Sequence, residues 1–376
     1  MSSGPINTPP PIPVAPLSTM QLDKVLKVAV RGGASDIILK TGSIPKFRFN
    51  GELIPLRDGE IITPEIMRTW IKQAMPPHLT VKFETTGDAD FGFQLPGGNR
   101  FRVNAYRQRQ SLGMVMRVIS THIRTLEELQ LPQILSDLTD EKRGLVLVTG
   151  ATGSGKSTTL AAMIQKINLD RACHIVTVED PIEFNFVDSR STIQQREVGV
   201  DTVSFQSALR AAMRQNPDVI LVGELRDKDT VETALQAADT GHLVYSTLHT
   251  LDAAESLTRI LSFFPAHQHQ ATKLLLAHTL KAVISQRLVP RLDGKGQAAA
   301  IEVLVNSGTV KQAILTGENF DAINAAIRSG GDIYGMQSFD QSLLELYHAH
   351  VISRQECLAQ ATGKSDMELA LQGVGA

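Results

Sequence analysis

Residues 150–158 read GATGSGKST, and no other stretch of the chain restricts its fold as tightly. Gly150, Gly155, Lys156 and Ser157 meet the spacing G-x-x-x-x-G-K-[ST]. The pattern needs a strand before it and a helix after it. The glycines let successive backbone N–H groups curl round phosphate oxygens, and the helix start adds partial positive charge. LVLVT precedes the loop and TTLAAMIQKI follows it with helical spacing, so both flanks fit. Ala151, Thr152, Gly153, Ser154 and Thr158 complete the phosphate-binding segment. Lys156 would reach the β- and γ-phosphates of ATP, and the Ser157 hydroxyl would ligate Mg²⁺. The plain alternative is a glycine-rich turn that holds no nucleotide.

The strand–helix alternation continues beyond the loop. Apolar runs at 145–148, 175–178, 219–222 and 243–246 are short, continuous and separated by helical stretches. That pattern predicts a parallel sheet covered on both faces. Within SFQSALRAAMR (204–214), Phe205, Ala208, Leu209, Ala212 and Met213 share one helical face. Past Pro265 the spacing reads as mostly helical, with a long helix over about 268–288 and helices on to the tail. Residues 21–119 differ. Helices over 21–30 and 63–75 mix with strands at 36–40, 46–50, 91–95, 100–106 and 113–119, and Asn50-Gly51 marks a hairpin. The proline-rich residues 1–18 read as a disordered lead-in. The expected class is therefore α/β: a P-loop core over 122–376 with a helical C-terminal part, behind a smaller α+β domain over 19–121.

Two acidic segments and two histidines complete the candidate site. PDVILVGELRD (217–227) ends a buried strand in Gly223-Glu224. An acid at the carboxyl end of such a strand serves Mg²⁺ or its water. A glycine displaces Glu224 by one position, so its expected role is to orient a metal-bound or attacking water. HIVTVEDPIEF (174–184) places Glu179, Asp180 and Glu183 just after another strand. Three carboxylates this close repel one another unless a cation or a water-handling role offsets the cost; a loop of surface acids is the other reading. GHLVYSTLHT (241–250) puts His242 and His249 at opposite ends of one strand, with His249 on the side of the phosphate loop. A histidine there can hydrogen-bond a γ-phosphate or be structural.

Composition removes several function classes. Thirty-seven Lys and Arg against 39 Asp and Glu leave a net charge of -2, which offers no bulk attraction for nucleic acid. Cys173 and Cys357 are too few for a disulfide framework or a four-thiolate zinc site, and they suit a reducing compartment. No run approaches the ~18 apolar residues of a membrane span. The expected location is cytoplasmic, with any membrane reached through a partner.

The motifs occur together and in order. The phosphate loop, EDPIE, QREVGVDT (195–202), RQNPDVILVGELRD (214–227) and TGHLVYSTLHT (240–250) resemble the secretion ATPase superfamily that powers pili and type II secretion. FRVNAY (101–106) and GMQSFDQSLLELY (335–347) are most similar to its pilus retraction (twitching motility) branch. The resemblance implies a RecA-like core, a PAS-like N-terminal domain, homohexameric rings and ATP hydrolysis coupled to pilus disassembly. It implies an inner-membrane pilus platform protein and a paralogous retraction ATPase as partners, with the ring peripheral at the inner membrane. Lys156 and Ser157 match the Walker A pair, Glu183 the acidic-box glutamate and Glu224 the Walker B glutamate. His249 and His242 match the histidine box. Arginines from the N-terminal domain complete the site in the family; Arg102 and Arg117 are the candidates, with Arg210, Arg214 and Arg226 as alternatives. TVKQAILTGE (309–318) stands where retraction ATPases commonly carry an AIRNLIRE-like helix, and DGKGQAAAIEVLVN (293–306) resembles accessory retraction paralogues. Pilus assembly or type II secretion ATPases share the chemistry, but they carry a tetracysteine element that this chain lacks. A non-catalytic ATP-sensing scaffold is the rival of another class.

Overall fold

The computed structural model describes residues 21–49, 51–96, 98–119, 122–317 and 320–373; the expected lead-in over 1–18 lies outside them. The chain divides between 121 and 122 into two units.

The first unit carries a six-stranded antiparallel sheet in the order β3-β2-β1-β6-β5-β4. Its strands are β1 (Asp36–Lys40), β2 (Lys46–Phe49), β3 (Glu52–Pro55), β4 (Asp88–Gln94), β5 (Arg100–Gln108) and β6 (Ser111–Ile119). Phe49 pairs with Glu52, so β2 and β3 are antiparallel neighbours in the sheet; Asn50, of the expected Asn50-Gly51 turn, lies outside the described residues. Two longer helices, α1 (Leu22–Arg31) and α2 (Pro64–Ala74), and the short α3 (Thr80–Thr86) complete it. Thr63 caps α2 by accepting the Ile66 N–H, and Pro64 opens the helix where no donor is needed. Leu22, Val25, Leu26 and Ala29 of α1 join Met67, Trp70 and Ile71 of α2 in one core with the sheet. Each large apolar side chain buried there is worth about 1.5–3 kcal/mol.

The second unit is built on a seven-stranded sheet ordered β13-β12-β7-β11-β10-β8-β9. Its strands are β7 (Gly144–Thr149), β8 (His174–Glu179), β9 (Thr192–Glu197), β10 (Val219–Val222), β11 (Leu243–Leu248), β12 (Leu280–Pro290) and β13 (Gln297–Val305). All neighbours run parallel except β12 and β13. The helices are α4 (Gln133–Asp137), α5 (Lys156–Asp170), α6 (Phe205–Ala212), α7 (Lys228–Asp239), α8 (Ala253–Ser262), α9 (His269–Thr279), α10 (Gly308–Thr316), α11 (Phe320–Ser329), α12 (Gly331–Tyr334), α13 (Phe339–His348), α14 (Arg354–Gln360) and α15 (Lys364–Leu371). β7, β10 and β11 are buried along their whole length, with separate apolar cores on the two sides of the sheet. This accounts for their unbroken apolar runs.

One expectation fails. The long helix over 268–288 ends at Thr279, and β12 begins at Leu280. Ala282, Val283 and Ile284 pair with Val146, Leu147 and Val148 of β7 and are fully buried. A strand covered on both faces shows no alternation, so periodicity alone does not separate it from a buried helix. The alanine-rich 298–300 likewise forms part of β13, where pairing with β12 overrides the helix preference of alanine. The segment past Pro265 therefore adds a hairpin to the sheet, and only the remainder is helical.

Candidate active site

Parallel strands put the ends of β7, β8, β10 and β11 at one edge, where ligands of such sheets bind. The loop leaving β7 makes the floor. Gly150 and Gly155 have φ of 140° and 89°. A Cβ on either would lie 2.4 Å from the Gln286 carbonyl or 2.6 Å from Gln286 Nε2. The loop thus lies flat against β12, and only glycine tolerates both the backbone and the contact. α6, α7 and α8 are capped by Ser204, Asp227 and Asp252, whereas no side chain caps α5. Its first amides are free to bind an anion.

Lys156 is 8% exposed and donates to the carbonyls of Gly150 (2.8 Å) and Ala151 (2.9 Å). Burial lowers its basicity, while the charges of Glu224 and Glu183 work the other way. The buried Ser154 hydroxyl has no hydrogen-bond partner among the described residues. An uncapped helix start, a buried lysine and an unspent hydroxyl on one loop fit a phosphate chain.

The acids stand across from it, on the rim of a cavity of about 420 Å³ shared with Lys156 and Ser157. Glu224 is held on both sides: Oε2 lies 2.9 Å from Arg226 Nε and Oε1 3.2 Å from His249 Nε2. Thr247 donates to the Gly223 carbonyl (2.7 Å), which fixes the turn that turns Glu224 into the cavity. The carboxylates of 179–183 separate in role. Glu179 is buried and accepts from Thr177 (2.7 Å) and Gln195 (3.0 Å), and burial holds its carboxyl above the usual range. Asp180 sits 3.5 Å from Arg226. Glu183 is exposed on the cavity side. Glu179, Asp180, Glu183 and Glu224 outnumber Lys156 and Arg226 on the lining. Among the described residues no three acidic or histidine side chains converge on one point, so a divalent cation here would rely on the Ser157 hydroxyl, water and the triphosphate's own oxygens.

The other candidates lie elsewhere. His242 is not on this cavity; it precedes β11 at the far end, with Nδ1 2.9 Å from the Ala237 carbonyl. The expected nucleotide contact of His242 is therefore not met within this unit. Arg102 and Arg117 belong to the first unit, opposite each other across the β5–β6 ladder. Both are exposed, and Arg117 pairs with Asp36 (2.8 Å). Of the alternative arginines, Arg226 alone lines the cavity.

Gln286 sits in an apolar stretch that reads as helix and carries no sequence signal of its place. Its Oε1 accepts from Thr159 (2.7 Å) in the first turn of α5 while its Nε2 faces Gly155. Beyond it, a second cavity of about 450 Å³ borders Gly155, Thr158 and Thr159 and is lined by Arg124, Leu288 and Arg291.

A family model for type II/IV secretion system proteins matches residues 14–374. The chain belongs to that family. The type IV pilus ATPase PilU of Pseudomonas aeruginosa is 41% identical over 353 residues, covering 94% of this chain and 92% of the relative. The type IV pilus retraction ATPase PilT of the same organism is 39% identical over 347 residues, covering 91% and 98%. A crystal structure of the pilus retraction motor PilT with bound ADP superposes with a TM-score of 0.83 at 39% identity, over 93% of this chain and 99% of that one. The expected kinship with retraction-type secretion ATPases and the expected ATPase fold are borne out. No described helix is long and apolar enough to cross a membrane.

Proposed function

We propose that this family member is the ATP-hydrolysing subunit of a homohexameric motor that drives type IV pilus retraction. One observation carries the reading: Lys156 and Ser157 share a single cavity with Glu183, Glu224 and His249. The loop amides and Lys156 grip the β- and γ-phosphates. Mg²⁺, held by Ser157 and by Glu224 through water, would neutralise charge on the triphosphate. Glu183, exposed and without an ion pair among the described residues, takes the proton of the attacking water. The water oxygen bonds to the γ-phosphorus as the bond to the β,γ-bridging oxygen breaks, giving ADP and phosphate. His249 senses the γ-phosphate while paired with Glu224, so loss of phosphate alters the pair. Arg226, or Arg102 or Arg117 of a neighbouring subunit, stabilises the developing charge. The second cavity, beside the start of α5, is sized for the nucleoside.

The ring works at the inner membrane through a pilus platform protein, with no nucleic acid. TVKQAILTGE lacks the arginine of the AIRNLIRE-like helix, which favours an accessory motor acting beside a paralogous retraction ATPase. A strain lacking the chain tests the reading. Surplus pili with reduced surface movement are the expected outcome; absence of pili would assign the chain to assembly instead. Restoring movement by supplying excess paralogue would mark the accessory role.

A further inference from the structure

A line of buried polar groups runs behind the phosphate loop. Thr149, the residue before Gly150, donates to the Ser285 hydroxyl (3.1 Å), and both are fully buried. Ser285 lies opposite Glu302 in the β12–β13 ladder and hydrogen-bonds its carboxylate. Glu302 in turn accepts the Ala253 N–H (2.8 Å) at the start of α8. Three neighbouring strand positions thus connect the root of the phosphate loop to the first turn of a helix. A glutamate 7% exposed needs such partners, since an unpaired buried carboxylate is costly.

His249 reaches the cavity from the loop that leads into α8, and that loop is stitched to the helix. Thr250 and Ser256 share a hydrogen bond of 2.6 Å, and Ser256 donates to the Asp252 carbonyl (2.6 Å). The Leu251 N–H donates to Glu255 (2.8 Å). Residues 250–256 therefore move as one piece, and His249 follows the first turn of α8.

We infer that Glu302 is a positioning residue for hydrolysis: from β13 it fixes the start of α8, and with it His249, relative to the strand that carries the phosphate loop. The inference rests on the ATPase reading above. Glu302 touches none of the residues assigned to Mg²⁺ or to water.

The same carboxyl is able to titrate in the working range. Burial pushes it up to about 7; Asp252 adds to the rise, while the Ala253 N–H, Arg287 and Ser285 oppose it. Glu302 also borders a cavity of about 410 Å³ that gives it a route to protons, with Arg328 of α11, Asp340 of α13 and Asp366 of α15 on its walls. Asp340 already accepts the N–H groups of Thr362 (2.7 Å) and Gly363 (3.1 Å). The carboxylate accepts the Ala253 N–H more strongly than the neutral acid does, so the hold on α8 tightens as pH rises through about 7.

The test is steady-state ATP turnover of the full chain between pH 6 and 8.5, with Lys156→Ala as the control for the site itself. Glu302→Ala is expected to lower kcat about tenfold, the usual scale for losing a buried charged partner, with KM for ATP within about threefold. Glu302→Gln keeps an acceptor for the Ala253 N–H; it is expected to recover most of kcat while losing the inflexion near pH 7. Wild-type kcat in Glu302→Ala, a loss confined to KM, or a Glu302→Gln profile superimposable on wild type would overturn the inference and leave the site intact. Turnover surviving Lys156→Ala would mean the phosphate loop is misassigned, and absence of turnover by the wild-type chain would overturn the ATPase reading itself. Should Glu302→Ala fail to fold, the pH profile of Glu302→Gln decides alone.

Discussion

At the scale of single residues, chemistry depends on which carboxylate is free to act. Glu224 has an ion-pair partner on each oxygen, and Glu179 is buried among donors, so neither is poised to take a proton from water. Glu183 faces the cavity with no ion pair among the described residues, which suits it to the general-base role proposed above. Glu183→Ala should therefore cut single-turnover hydrolysis by roughly 10²–10⁴ while leaving nucleotide affinity near wild type. Glu224→Ala removes the partner of Arg226 and His249 and, on the proposed mechanism, the acid that holds the metal's water. It should reduce hydrolysis and also weaken the Mg²⁺ dependence of nucleotide binding. Measuring both variants by rapid-quench hydrolysis and by nucleotide titration with and without Mg²⁺ separates the two roles; an exchange of phenotypes would reverse the assignments. The residues of this rim were legible from type and position, because each follows an apolar run. Gln286 was not legible, since nothing in SQR marks a side chain that will lie under the phosphate loop. Its role arises only once β12 is placed beside β7.

At the scale of elements, the sequence was most informative where one rule applied and least where two competed. Thr63-Pro64 fixes the start of α2, and GATGSGKST fixes a strand–loop–helix junction, because caps and loop glycines act locally. The boundary at Thr279–Leu280 has no such marker, and strand pairing across more than a hundred residues decides it. The β12–β13 hairpin matters energetically because it brings Glu302 into the interior. In the unfolded chain this carboxyl ionises near 4.5, but in the fold it does so at about 7. Between those values the folded chain holds more proton, so the stability this group contributes falls as pH rises, and the cost is complete above about 7. Its ceiling is on the order of 3 kcal/mol at alkaline pH. Glu302→Gln removes that cost and keeps the acceptor for the Ala253 N–H. Its melting temperature relative to wild type should accordingly be higher at pH 8 than at pH 5; a difference independent of pH would mean the carboxyl is not raised.

At the scale of the whole molecule, one arginine decides whether the site is closed by one chain or by two. Arg226 already lies against Glu224 and Asp180, which engages its charge within its own chain. Arg117, though also exposed, pairs with Asp36, whereas Arg102 on the neighbouring strand is exposed with no ion pair among the described residues. If Arg102 supplies charge to a neighbour's γ-phosphate, two defective chains should repair each other. Lys156→Ala cannot hydrolyse in its own cavity but still presents Arg102. Arg102→Ala keeps its own phosphate loop but presents nothing to the next subunit. Each variant alone should fall at least about tenfold below wild type, the minimum expected for losing a charge-stabilising arginine or the loop lysine. Rings assembled from an equal mixture should then exceed the sum of the separate activities, because some Arg102→Ala cavities receive an intact arginine from a Lys156→Ala neighbour. Arginine action confined to one chain predicts simple addition. The comparison needs only turnover measured against mixing ratio: a curve bowed above the straight line marks hydrolysis as a property of the assembled ring, and a straight one confines the arginine's action to its own chain.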